Sequence, residues 1–126
     1  MSAAEEPMFA ELAFAAALTQ EQPQFRRVET APGTFTSVYV SNSLPWRSPP
    51  NIVFPDRARD RDVMRGEATI ECDVAPTNGR LSACRVLSET PDGAGFGSAA
   101  VSGSARSSLD PARWTSPTVA FSIAFN

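Results

Sequence analysis

Cys72 and Cys84 are the only cysteines of the chain, and the chemistry open to them is narrow. Eleven residues lie between them, so they form neither a C-x-x-C redox motif nor a zinc knuckle. The chain has no histidine. That removes the commonest general base, the commonest metal ligand and every Ser-His or Cys-His nucleophile pair. Two thiolates without histidine do not complete a tetrahedral zinc site unless carboxylates join them. Nothing close in sequence would activate a thiolate for redox work. A disulfide, or burial as two small hydrophobes, is what remains for this pair.

Three acids come next. Glu67, Glu71 and Asp73 recur at period two and share one face of a strand. Paired carboxylates can hydrolyse glycosides. Here Arg80 and Arg85 follow on the return strand, so cross-strand ion pairs are the expectation. Gly93-Ala94-Gly95-Phe96-Gly97 precedes a helical segment, but it lacks the Gly-Lys-Ser/Thr ending of a phosphate loop, and the chain contains no lysine. It reads as a tight connection that lets Phe96 reach the core. No enzymatic role, cofactor or metal site is expected.

The elements that position these residues are legible by period. Ala68, Ile70, Cys72 and Val74 alternate with Glu67, Thr69, Glu71 and Asp73, which predicts a strand with one apolar and one acidic face. Ala75-Pro76-Thr77-Asn78-Gly79 supplies the turn, since Asn and Gly tolerate the positive φ that hairpins demand. The return strand is expected over Arg80–Ser88, with Cys84 and Val86 facing inward. Counted about the turn, the two cysteines sit at or near opposite positions. Directly opposed Cβ atoms lie about 4.5–5.5 Å apart, against about 3.5–4.5 Å in a disulfide. A bond therefore fits a twisted, non-hydrogen-bonded pair, and an oxidising compartment favours it.

Further along, a weak helix is expected over 98–107, poor in propensity because of Gly103 and its serines. The last strand is Thr118–Phe125. Val119, Phe121, Ile123 and Phe125 face one way, and Ala120, Ser122 and Ala124 the other. Upstream, Pro55 and Asp56 suit a first helical turn over 55–64. Pro45, Pro49 and Pro50 enforce an extended path on which Trp46 anchors. Pro32-Gly33 opens a β-rich run, Thr34–Val40. Residues 1–20 read as a short amphipathic helix. Their apolar stretch 8–18 has the look of a signal-peptide core, but Glu5 and Glu6 stand where positive charge belongs, and Glu11 interrupts it.

Composition bounds the rest. The 126 residues suggest one domain, and 42% hydrophobic with 20% charged residues is globular rather than disordered. Net charge is −3, and arginines alternate with acids over 56–62, so no basic stripe for nucleic acid exists. No run of about 18 apolar residues is present to span a membrane. The order helix, strand, strand, helix, strand excludes a doubly wound sheet. It predicts an α+β fold: a small three-stranded antiparallel sheet with helices on one face, residues 49–126, preceded by an irregular extension, residues 1–48.

That order and its residues resemble the TonB C-terminal domain family. The similarity covers roughly residues 50–126 and rests on Phe54-Pro55-Asp56-Arg57-Ala58, Gly66-Glu67-Ala68-Thr69-Ile70, Cys72-Asp73-Val74 and Asn78-Gly79-Arg80-Leu81. It continues through Val86-Leu87-Ser88, Gly95-Phe96-Gly97 with Ala99-Ala100, and Pro111-Ala112. Departures are Phe54 where the family usually has Tyr, Leu109-Asp110 where an aromatic often precedes Pro-Ala, and a helix rich in Ser and Gly. The membrane helix and Pro-rich spacer of a full transducer are not in this stretch, so a stand-alone member or the globular end of a longer protein is expected.

The resemblance implies a non-catalytic periplasmic module of energy-transducing transport. In such domains the last strand receives a peptide from an outer-membrane TonB-dependent receptor by strand addition. Val119, Ala120, Phe121, Ser122 and Ile123 would then supply backbone groups, with Arg113 and Trp114 flanking the peptide. The alternative is a structural or assembly protein. There the edge would be self-paired in a homodimer or covered by the run at 34–40, since natural sheets normally hide their edges.

Overall fold

The computed structural model describes residues 22–126; the helix expected within residues 1–20 lies outside them. The fold is α+β. The described residues form seven strands: β1 (Phe25–Ala31), β2 (Thr34–Val40), β3 (Trp46–Ser48), β4 (Gly66–Val74), β5 (Leu81–Thr90), β6 (Ser108–Leu109) and β7 (Thr118–Phe125). Two α-helices, α1 (Asp56–Asp60) and α2 (Phe96–Ser104), accompany them among the described residues. No described helix is long and apolar enough to cross a membrane.

The expected three-stranded sheet is corrected to five strands, in the order β1-β2-β7-β4-β5. Its β5-β4-β7 portion is the antiparallel unit that the alternation predicts. The two added strands come from the segment before residue 49. β1 and β2 form a hairpin about Pro32-Gly33, with Gly33 at φ 78°. β2 then lies parallel to β7 over Val38–Val40, opposite Ala120–Ser122. β1 escapes a reading by period because its sequence, FRRVETA, has almost no apolar alternation, and only Val28 is less than exposed. β3 and β6 form a separate two-stranded sheet in which Trp46 faces Leu109.

The core lies between the sheet and α2. The apolar face of β4 (Ala68, Ile70, Cys72, Val74) and of β7 (Val119, Phe121, Ile123, Phe125) meets Phe96, Ala100, Leu109, Leu44 and Ala58. Phe96 is wholly buried, with Phe54 edge-on at 5.6 Å and Phe125 at 4.9 Å, as expected for the residue that the glycine-rich loop delivers. Trp46 is the expected anchor: it meets Phe121 edge-on at 5.4 Å, and its Nε1 donates to the Ser41 carbonyl at 2.7 Å. The helices are shorter than expected. α1 stops at Asp60, where Asp62 takes φ 57°, a conformation Asp tolerates better than most residues. α2 begins earlier than expected, at Phe96, because burial of that ring sets its start.

The cysteines form a disulfide, Cys72–Cys84. They are not a registered pair: Glu71 faces Arg85 and Asp73 faces Ser82, and a bulge on β5 that includes Ala83 at φ 51° swings Cys84 across to Cys72. The bond closes a loop of about a dozen residues within one hairpin, for which chain-entropy reasoning gives about 3 kcal/mol. Thermal unfolding with and without reductant should therefore differ by 10 °C or more, at about 4–8 °C per kcal/mol for a domain near this size. A shift below about 4 °C would place the stabilisation elsewhere.

Val86, expected to face inward with Cys84, is on the α2 side of the sheet, where a Cβ on Gly97 would touch its methyls, but it is 42% exposed because β5 is the last strand of the sheet. On the opposite face Arg85 donates to Glu71 at 2.9 Å and to Asp73 at 3.0 Å. These are the cross-strand ion pairs expected of the carboxylates, while Arg80 has no ion-pair partner among the described residues. Asp73 first and then Glu71, as hydrogen-bond acceptors, hold the Arg85 guanidinium above its usual range. The raised value means the stabilisation is fully present below the ordinary arginine range and would be lost only above it. Arg85 is 43% exposed, so the pairs are screened. Arg85→Ala should cost about 0.5–1 kcal/mol in urea unfolding at low salt and nearly nothing at 1 M salt. A loss that persists at high salt would mean packing rather than charge.

Candidate functional site

The candidate site is the outer edge of β7, the side away from β4. β7 is a strand because its β-branched and aromatic residues alternate and one face is buried: Val119, Phe121, Ile123 and Phe125 are 2, 0, 5 and 4% exposed. Those side chains point into the core, so only their backbone groups can serve a partner. Ala120 and Ser122 face the other way, and the Ser122 and Thr69 hydroxyls lie within hydrogen-bonding distance, 2.9 Å.

Backbone groups in the middle of this edge are already engaged. Val38, Tyr39 and Val40 of β2 stand opposite Ala120, Phe121 and Ser122. Val38 and Ala120 share a face and are each 3% exposed. The pairing ends at Val40, where Ser41–Ser43 form a single 3-10 turn. Beyond it Ile123–Phe125 have no registered partner on that side among the described residues.

Of the residues expected to meet a partner, Arg113, Trp114, Val119 and Ala120 line one shallow depression together with Ser37 and Tyr39. Ser122 and Ile123 line a neighbouring one with Phe25 and Val40. Trp114 is half-buried and held in place from its own side. Its backbone N–H donates to Asp110 at 3.0 Å, and its Nε1 donates to the Thr118 carbonyl at 3.3 Å. Tyr39 meets it edge-on at 5.0 Å, and Phe25 extends the row with its ring 5.1 Å from Tyr39. Arg113 is exposed and makes no side-chain hydrogen bond among the described residues.

Phe25, Val38 and Tyr39 were not among the expected site residues. The β-rich run at 34–40 was a signal for two of them, because a strand of that composition needs a pairing partner. Phe25 left no such signal in its charged surroundings.

Among the described residues no group of three or more His, Cys, Asp or Glu lies close enough to hold a metal ion. Comparison of the chain with protein-family models, with curated proteins and with solved structures returned no match.

Proposed function

We propose that this chain is a non-catalytic binding module of the TonB C-terminal type, taking an extended segment of a partner protein as an added strand on the outer edge of β7. One observation carries the reading: over Ala120–Ser122 this edge holds a parallel strand, supplied by the chain's own β2. The backbone groups of this edge are therefore placed to ladder with a strand, and strand addition takes its affinity from such main-chain hydrogen bonds and its specificity from the side chains beside them. The edge is also the one implied by the resemblance, and the segment 54–126 follows the order helix, strand, strand, helix, strand, with the short β6 inserted before the last strand.

The partner proposed is a segment of an outer-membrane TonB-dependent receptor, and the compartment is the periplasm, with which the disulfide is compatible. The reading gives Glu71 and Asp73 a structural role, as the carboxylates that Arg85 engages. A second reading is favoured by the same pairing: a structural or assembly protein whose edge is closed for good by its own hairpin.

Titration with peptides from receptor plug segments, followed by amide NMR shifts, separates the two. Shifts confined to residues 113–125 and to the displaced β2 support strand addition. Absence of binding at millimolar peptide, with the amides of Ala120–Ser122 protected from exchange, hands the protein to the structural reading.

A further inference from the structure

Resting on that reading, we infer that β2 is an internal pseudoligand which must leave before a partner binds, and that the partner strand runs parallel to β7 with a β-branched residue opposite Ala120 followed by an aromatic residue seated on Trp114.

The hairpin is built as an appendage. Of β1 and β2 only Val38 is buried, 3% exposed, and it lies outside the main core cluster, which begins in sequence at Leu44; Tyr39 packs at that cluster's margin. β1 forms the outermost strand and is exposed along nearly all its length. Only three residue pairs join β2 to β7, in the parallel arrangement that is slightly the weaker per residue. A two-stranded hairpin is marginal by itself, so once undocked it has little order of its own to defend. Departure of β1 and β2 opens an edge at the cost of uncovering Val38 and Ala120, and leaves the main cluster in place.

What β2 places on that edge defines what a replacement must carry. At the first position Val38 is 3% exposed opposite Ala120, so the site takes a compact, stiff side chain and rejects a charge. At the second, Tyr39 sits edge-on to Trp114, 82° between the rings. Trp114 is fixed by Asp110 and Thr118, not by the hairpin, so the aromatic seat is preformed. At the third, Val40 is 45% exposed and imposes little. Two adjacent positions therefore carry the selectivity. A hairpin that stays docked lowers the apparent affinity of any competitor by the fraction of time the edge is free.

The test uses the full chain. Val38→Asp places a carboxylate at the buried position and should undock the hairpin. Amide exchange within Ala120–Ser122 should quicken at least tenfold, while amides of β4 stay protected. A synthetic peptide carrying residues 34–40, TFTSVYV, should bind the variant at least tenfold more tightly than it binds wild type. The same peptide with alanine at the Tyr39 position should lose at least tenfold. If V38D does not fold, Tyr39→Ala in the full chain is read by the same titration. Equal peptide affinity for wild type and variant overturns the pseudoligand, and equal affinity for the two peptides overturns the aromatic requirement. If strand peptides bind without regard to the aromatic, strand addition stands and this inference falls. If the edge opens and no strand binds, both fall.

Discussion

Gly79→Val should lower the unfolding free energy by about 4 kcal/mol or more, which is a large part of the roughly 5–15 kcal/mol that a domain of this size has. Gly79 stands in the β4–β5 turn at φ 72°. A residue with a Cβ held there costs about 1–3 kcal/mol in backbone strain, more when β-branched. Space is the second cost. A Cβ at this position would fall on the carbonyl oxygen of Leu109, a backbone atom that cannot rotate aside. The Leu109 N–H donates to the Gly79 carbonyl at 2.8 Å, and Leu81 N–H donates to Ser107 at 3.0 Å. Pushing the turn away therefore breaks the junction between the hairpin and β6 and loosens Leu109, which is fully buried. Urea unfolding measures the loss. A change below about 1 kcal/mol would mean that the turn can move off Leu109 freely.

Phe121→Ala should cost about 3–5 kcal/mol, the usual range for a phenylalanine removed from a core. Phe121 is 0% exposed, at the centre of β7, with Ile70 opposite on β4 and Tyr39 opposite on β2. Its ring is also the surface against which Trp46 rests. Truncation leaves a cavity bounded by elements on two sides and deprives Trp46 of its edge-on partner. The same variant should weaken strand binding, because Phe121 is the β7 residue opposite the second strand position, which Tyr39 now holds. The check is equilibrium unfolding together with exchange of the β7 amides. A cost under about 1.5 kcal/mol would show that Trp46 or Leu44 refills the space.

Much of the central unit was legible in the residues. Period-two alternation placed β4 and β7 and assigned their buried faces, because a sheet with one wet face must alternate. The Asn78-Gly79 turn set the hairpin, and the hairpin brought Cys72 and Cys84 within reach of each other. Arg85 opposite Glu71 follows from the same register. The helices were legible as elements but not in their limits, since α2 is held by burial of Phe96 and Ala100 rather than by propensity. The candidate site was legible as a strand, and the run at 34–40 as a candidate cover for its edge; the choice between a free and a covered edge, and the parallel sense of the pairing, were not. Whether that edge is open depends on which distant segment lies beside it, and residues 41–117 intervene between β2 and β7.

By itself the sequence determined the local matters: where strands alternate, where the turn falls, which residues face inward, and that histidine- and lysine-based chemistry is absent. The tertiary structure decided the count and order of strands, the parallel docking of Val38–Val40 on Ala120–Ser122, and the seating of Tyr39 on Trp114. The reason is physical. Alternation reports one side chain against the next and is written into neighbours. Pairing between strands is made by backbone groups that every residue carries alike, so the choice of partner rests on the packing of the whole chain.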